Sequence, residues 1–87
     1  MEIKYTERAV RQLKKLAKGD KKSASMILKA IEAYSKKPSS KFDIKILKGK
    51  YGNFKRIRVG NYRIIFDDDG NVMFIYELKH RQEAYHD

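Results

Sequence analysis

Phe54-Lys55-Arg56-Ile57-Arg58-Val59-Gly60-Asn61-Tyr62-Arg63-Ile64-Ile65-Phe66 alternates apolar and charged residues on both sides of a Gly-Asn pair. That is the pattern of two strands joined by a tight hairpin, because Gly and Asn both tolerate positive φ. With Gly60 and Asn61 as the loop, Val59 faces Tyr62, Arg58 faces Arg63, Ile57 faces Ile64 and Arg56 faces Ile65. Successive strand side chains point to opposite faces. Ile57, Val59, Tyr62 and Ile64 therefore share a face suited to a core, while Phe54, Arg56, Arg58 and Arg63 share the other. Like charges directly opposite each other cost a few tenths to about 1 kcal/mol. Setting Arg58 against Arg63 brings no structural reward, and a local rule broken in this way points to function. A phosphate between the two guanidinium forks reverses the sign of the interaction.

Other basic groups converge on this hairpin. Lys48 and Lys50 flank it, and Lys55 lies within it, although Lys55 has core-side parity and reaches the arginines only at an edge. Phe54, on the arginine face, suits a stacking platform for a base, or else is covered by the C-terminal segment. Beyond the last strand stand Lys79, His80 and Arg81, and then Tyr85, which shares a face with Arg81 if the tail is helical.

Outward from the hairpin, residues 2–5 alternate as a short first strand. Thr6 is a suitable N-cap for a helix over residues 7–18, with Val10, Leu13, Leu16 and Ala17 at helical spacing and Gly19 as the stop. Asp20 caps a second helix whose apolar face is Ala24, Ile27, Leu28, Ile31 and Tyr34. From Ile44 the period falls from 3.6 to 2, giving strands over residues 44–48, 54–59, 62–67 and 72–78, with Asp69-Gly70 as a further turn. Residues 80–87 are read as a short terminal helix. The expected fold is α+β, summarised as β-α-α-β-β-β-α. A helical hairpin packs on one face of a small, mainly antiparallel sheet.

Eighty-seven residues, 41% of them hydrophobic, suffice for a single domain over 1–87 with a modest core. There is no cysteine, so neither a disulfide nor a thiolate metal site is available. Two histidines and no paired carboxylates offer no metal site. Asp67-Asp68-Asp69 lacks the spacing of a calcium loop, and Gly49-Lys50 is no phosphate-binding loop. No cofactor is expected. No apolar run is long enough to span a bilayer and Met1 to Lys4 carry no signal pattern, so a cytoplasmic location is expected. The formal charge is +10, and it is unevenly spread: residues 1–63 hold 19 basic and 5 acidic residues, residues 64–87 hold 2 and 6. Such a field attracts a polyanion, either nucleic acid or an acidic protein.

The run Leu47-Lys48-Gly49, the hairpin from Phe54 to Phe66, and His80-Arg81 with Tyr85 together resemble the RelE/ParE toxin superfamily over nearly the whole chain. In the RelE branch the resemblance implies a type II toxin, an endoribonuclease that cleaves mRNA in the ribosomal A site and is neutralised by a cognate antitoxin. The antitoxin's acidic segment would cover the basic face. In the ParE branch it implies a DNA gyrase inhibitor on the same fold, without nuclease activity. RelE-type toxins carry basic residues at positions matching Arg56, Arg58 and Arg63, which favours the first branch. The family's final arginine and tyrosine match Arg81 and Tyr85, or Lys79 in place of Arg81 if the tail shifts. Arginine stays protonated and cannot be the base, but it suits developing phosphorane charge. Arg58 and Arg63 are assigned to the scissile phosphate, and Arg56 to an adjacent phosphate or to the nucleophile's environment. The candidates for the general base are His80 and Tyr85, imidazole being the side chain commonly used for proton transfer. A non-catalytic RNA-binding module and an inactive relative that keeps only antitoxin binding are the remaining alternatives.

Overall fold

Thr6 closes the first strand and opens the first helix, and two hydrogen bonds explain why. In the computed structural model, which describes residues 1–38, 42–47 and 54–82, its hydroxyl oxygen accepts from Ala9 N at 3.1 Å and its hydroxyl donates to the Tyr76 carbonyl at 2.6 Å. Strand β1 (Glu2–Tyr5) thus leads directly into helix α1 (Glu7–Gly19). Asp20 alone joins α1 to helix α2 (Lys21–Lys36): its N–H donates to the Leu16 carbonyl and its carboxylate accepts from Ser23 N. A one-residue joint of this kind forces an antiparallel helix pair.

The chain then runs through β2 (Ile44–Ile46), β3 (Lys55–Val59), β4 (Tyr62–Asp68) and β5 (Val72–His80). The sheet order is β1-β5-β4-β3-β2, with β1 parallel to β5 and every other pair antiparallel. Four strands follow the helices, matching the four stretches over residues 44–48, 54–59, 62–67 and 72–78; the β-α-α-β-β-β-α summary counts one strand too few. The expected terminal helix is corrected at its start: β5 continues through His80, and residues 83–87 lie outside the described residues. The β3–β4 hairpin has the register expected from the sequence, including Arg58 opposite Arg63. Its turn takes positive φ at Gly60 alone (57°), the sign pattern of a type II′ turn.

β5 outruns its neighbour β1, which ends opposite Ile75. Beyond that point α1 covers the open edge of β5, with Thr6 bonding to the Tyr76 carbonyl and the Gln12 side chain accepting from Leu78 N at 2.6 Å. An exposed strand edge is thereby removed.

The core lies between the helices and one sheet face. Ala9, Ile27, Ile31 and Tyr34 meet Ile57, Ile64, Phe66, Met73, Ile75 and Leu78, with Leu13 and Leu16 packed at the margin. On α1, Leu13 and Leu16 of the expected stripe pack on the core together with Ala9, whereas Val10 is only half-buried and Ala17 is exposed; Leu28 of α2 is also exposed. No helix among the described residues is long and apolar enough to cross a membrane.

At one margin of this core the Asp68 carboxylate accepts from the Tyr34 hydroxyl at 2.9 Å and from Lys55 Nζ at 3.1 Å. Burial, reinforced by the Asp68 hydrogen bond and charge, raises the Tyr34 pKa above its ordinary 10.0. For Lys55, burial works downward, but the Asp68 hydrogen bond and the charges of Tyr34 and Asp68 outweigh it and raise the pKa above 10.5. Raised folded-state values stabilise fully below the unfolded pKa and are lost as pH rises through the folded one. The melting temperature is expected to fall steeply above about pH 10, and Asp68→Asn should flatten that fall. Thermal melts from neutral to strongly alkaline pH check it.

Candidate functional site

The arginines are positioned by strand alternation on the sheet face away from the helices. Across that face Arg58 stands opposite Arg63, and Arg63 stands opposite Lys79, so three cations form one row over β3, β4 and β5. Where the row meets the Gly60-Asn61 turn, a pocket of about 320 Å³ is lined by Arg58, Gly60, Asn61, Tyr62, Arg63 and Arg81. Arg81 is fixed there by its own backbone, whose N–H donates to the Asn61 carbonyl at 2.7 Å. Three guanidinium groups around one small volume can hold a phosphate from several sides.

Arg56 occupies a different position from the one expected of it. It lies on the same face but is buried, 6% exposed, and does not line this pocket. Asp43 stands beside it, with Oδ1 3.8 Å from Arg56 Nη1 and Oδ2 3.7 Å from Arg58 Nε. Those distances are ion pairs, too long for good hydrogen bonds. Asp43 thus tempers the arginines at the β2 edge without closing round them. Sequence reading passed over it, although the alternation Asp43-Ile44-Lys45-Ile46 puts Asp43 and Lys45 on the arginine face.

The other expected site residues divide between the two faces. Lys55 is on the helix side, bound to Asp68, and does not join the arginines. His80 pairs with Tyr62 on the helix side, its ring edge-on to Tyr62 at 5.1 Å, in a pocket shared with Gln12, Leu16 and Leu78. Its Nδ1 accepts from Gln82 N at 3.2 Å. The sheet therefore separates His80 from Arg58 and Arg63. Phe54 is on the arginine face, and its ring stacks on Tyr76 with centroids 4.3 Å apart. Lys48, Lys50 and Tyr85 lie outside the described residues.

Tyr76 is the residue that sequence reasoning missed, and a register shift is the reason. On β4, Ile65 pairs with Glu77 but the next residue, Phe66, pairs with Ile75, which leaves Tyr76 as an extra residue on β5. A bulge of this kind inverts the alternation beyond it. Met73 and Ile75 before it and Leu78 after it all reach the core, so Glu77 and Lys79 turn to the arginine face and His80 turns away. Among the described residues no group of three or more His, Cys, Asp or Glu is placed to hold a metal ion.

The family described as ParE toxin of type II toxin-antitoxin system, parDE, matches residues 3–85. The chain belongs to the RelE/ParE toxin superfamily. It is 32% identical to Toxin RelE3 of Methanocaldococcus jannaschii over 85 residues, which cover 98% of this chain and 96% of the relative. The toxin also resembles the archaeal RelE-RelB complex from Pyrococcus horikoshii, with TM-score 0.73, 27% identity, and coverage of 95% of this chain and 97% of that one. The YoeB dimer from Staphylococcus aureus shares the fold, with TM-score 0.79 over 92% of the toxin and 95% of that chain, at 18% identity. The helix pair on a five-stranded sheet is thus the fold of RelE and YoeB toxins.

Proposed function

We propose that this toxin is a ribosome-dependent mRNA endoribonuclease, and that a cognate antitoxin neutralises it by laying an acidic segment over the basic face. The pocket shared by Arg58, Arg63 and Arg81 carries this reading. In the reaction the 2′-oxygen bonds to phosphorus while the bond to the 5′-oxygen breaks. A 2′,3′-cyclic phosphate and a 5′-hydroxyl are left. One proton leaves the 2′-hydroxyl and one reaches the departing 5′-oxygen. Arg58 and Arg63 hold the scissile phosphate and take up the charge that grows on its equatorial oxygens. Lys79, at the end of the cationic row, and Arg81, at the turn, orient the flanking backbone. Arg56, buried beside Asp43, adds positive charge beneath that face without lining the pocket. The relatives crystallised with RelB support the antitoxin as a partner here.

The proton transfers fall to Tyr85, because His80 faces the helices. His80→Gln is expected to leave the cleavage rate within about threefold of the parent, whereas Tyr85→Phe lowers it by at least about a hundredfold, the lower end of what general acid–base catalysis contributes. Rates on ribosome-programmed mRNA over pH 5–9 measure both. A loss in His80→Gln as large as that in Tyr85→Phe, with a changed pH profile, would return the base to His80.

Mapping of 5′ ends after incubating programmed ribosomes with the toxin tests the main proposal. Discrete cuts in the A-site codon are expected, and intact message refutes it. The match to a family described as ParE favours a second reading, a gyrase inhibitor. Stabilised gyrase–DNA cleavage complexes with uncut mRNA would establish that alternative.

A further inference from the structure

About two residues along the strands from the cationic row, the arginine face carries a second pocket, of about 290 Å³, lined by Thr6, Arg8, Phe54, Ile65, Tyr76 and Glu77. Its apolar part is the Phe54–Tyr76 stack and Ile65, which is 5% exposed. At its rim the Glu77 carboxylate is held by Arg8 Nη1 at 2.9 Å and faces Lys79 Nζ at 3.5 Å. Strand geometry fixes the distance to the arginines. Ile65 is two residues from Arg63 and Glu77 is two from Lys79, a separation of about 7 Å, within reach of one nucleotide of a single strand lying along the face.

We propose that this pocket binds the nucleobase next to the phosphate held by Arg58 and Arg63. Phe54 and Tyr76 supply the stacking surface, and Glu77 reads the edge of the base. Aromatic stacking accepts any base, so selectivity has to come from the polar rim. An ionised carboxylate only accepts hydrogen bonds. It rewards bases that carry an exocyclic amino group (adenine, cytosine, guanine) over uracil, whose one ring N–H lies between two carbonyl oxygens that repel a carboxylate. Arg8 holds the carboxylate in place from a largely exposed position, 67% by side chain, and is able to swing to a phosphate once a base takes Glu77. A protein partner's apolar side chain would also fill the volume. The carboxylate at the rim and the unbroken continuity with the cationic row favour a base.

This inference rests on reading the arginine face as an RNA site, but it does not require cleavage. Binding is therefore measured directly, by fluorescence anisotropy of the full chain with short, non-cleavable 2′-O-methyl oligonucleotides of A, C, G or U. Uridine is expected to bind weakest. Tyr76→Leu should lose about tenfold for all four, with Tyr76→Phe restoring it. Glu77→Gln should bring uridine level with the others, whatever it does to overall affinity. Equal binding of all four by the parent, unchanged affinity in Tyr76→Leu, or no binding at all overturns the proposal. So does a Tyr76→Leu loss confined to an acidic peptide ligand, which would assign the pocket to a protein partner. Thermal melts exclude misfolding of the variants. Uncut mRNA on ribosomes combined with intact base discrimination would defeat the nuclease reading and leave this one standing.

Discussion

On the proposed nuclease reading, Arg63→Ala is expected to lower the cleavage rate by about 10²–10³-fold, the usual consequence of removing one donor aimed at developing oxyanion charge. Binding to the ribosome should weaken far less, because the remaining basic residues supply the bulk of the phosphate attraction. Single-turnover cleavage and ribosome co-sedimentation separate the two effects, and equal losses in both would contradict a transition-state role. Stability provides an independent readout. Arg63 stands between Arg58 on one strand and Lys79 on the other, so its removal relieves like-charge contacts on both sides. The melting temperature should therefore fall far less than activity. A residue kept for the fold would behave in the opposite way.

Phe66→Ala should have the largest effect on stability. Phe66 is fully buried, and its ring meets that of Tyr34 edge-on at 5.0 Å, which ties α2 to the centre of the sheet. Truncating a buried phenylalanine costs about 3–5 kcal/mol. A chain of this length has little more than that in total. With each 1 kcal/mol worth about 4–8 °C in a domain of this size, the melt should fall by at least about 12 °C, or the cooperative transition should disappear. Phe66→Leu should recover most of the loss. A melt within a few degrees of the parent in Phe66→Ala would show that the helix–sheet interface is not the main support of the fold.

Much of this architecture was legible because its signals are local. Thr6 and Asp20 cap helices by reaching amides three residues ahead, and such contacts are written in adjacent residues. The two-residue Gly60-Asn61 turn fixes the β3–β4 register, and with it the Arg58–Arg63 pair and the burial of Ile57 and Ile64. The apolar spacing of α2 picked out Ala24, Ile27, Ile31 and Tyr34, which are buried, but it also picked out Leu28, which is not. A helical period gives the direction of a face more accurately than its width.

By itself the sequence determined the hairpin, its cationic face and the helix pair, since each follows from periodicity and from turn or cap chemistry within a few residues. The superfamily resemblance rests on those same runs. Only the tertiary structure decided which residues of β5 join the arginines. A single extra residue at Tyr76 reverses side-chain parity, bringing Glu77 and Lys79 to the cationic face and sending His80 to the helices. The pairing of Phe66 with Ile75 beside that of Ile65 with Glu77 creates this bulge, a long-range register with no local marker. Likewise, Asp43 meets Arg56 and Arg58 only because β2 docks against β3. Contacts of that kind arise from how distant strands align, and alternation within one strand cannot specify them.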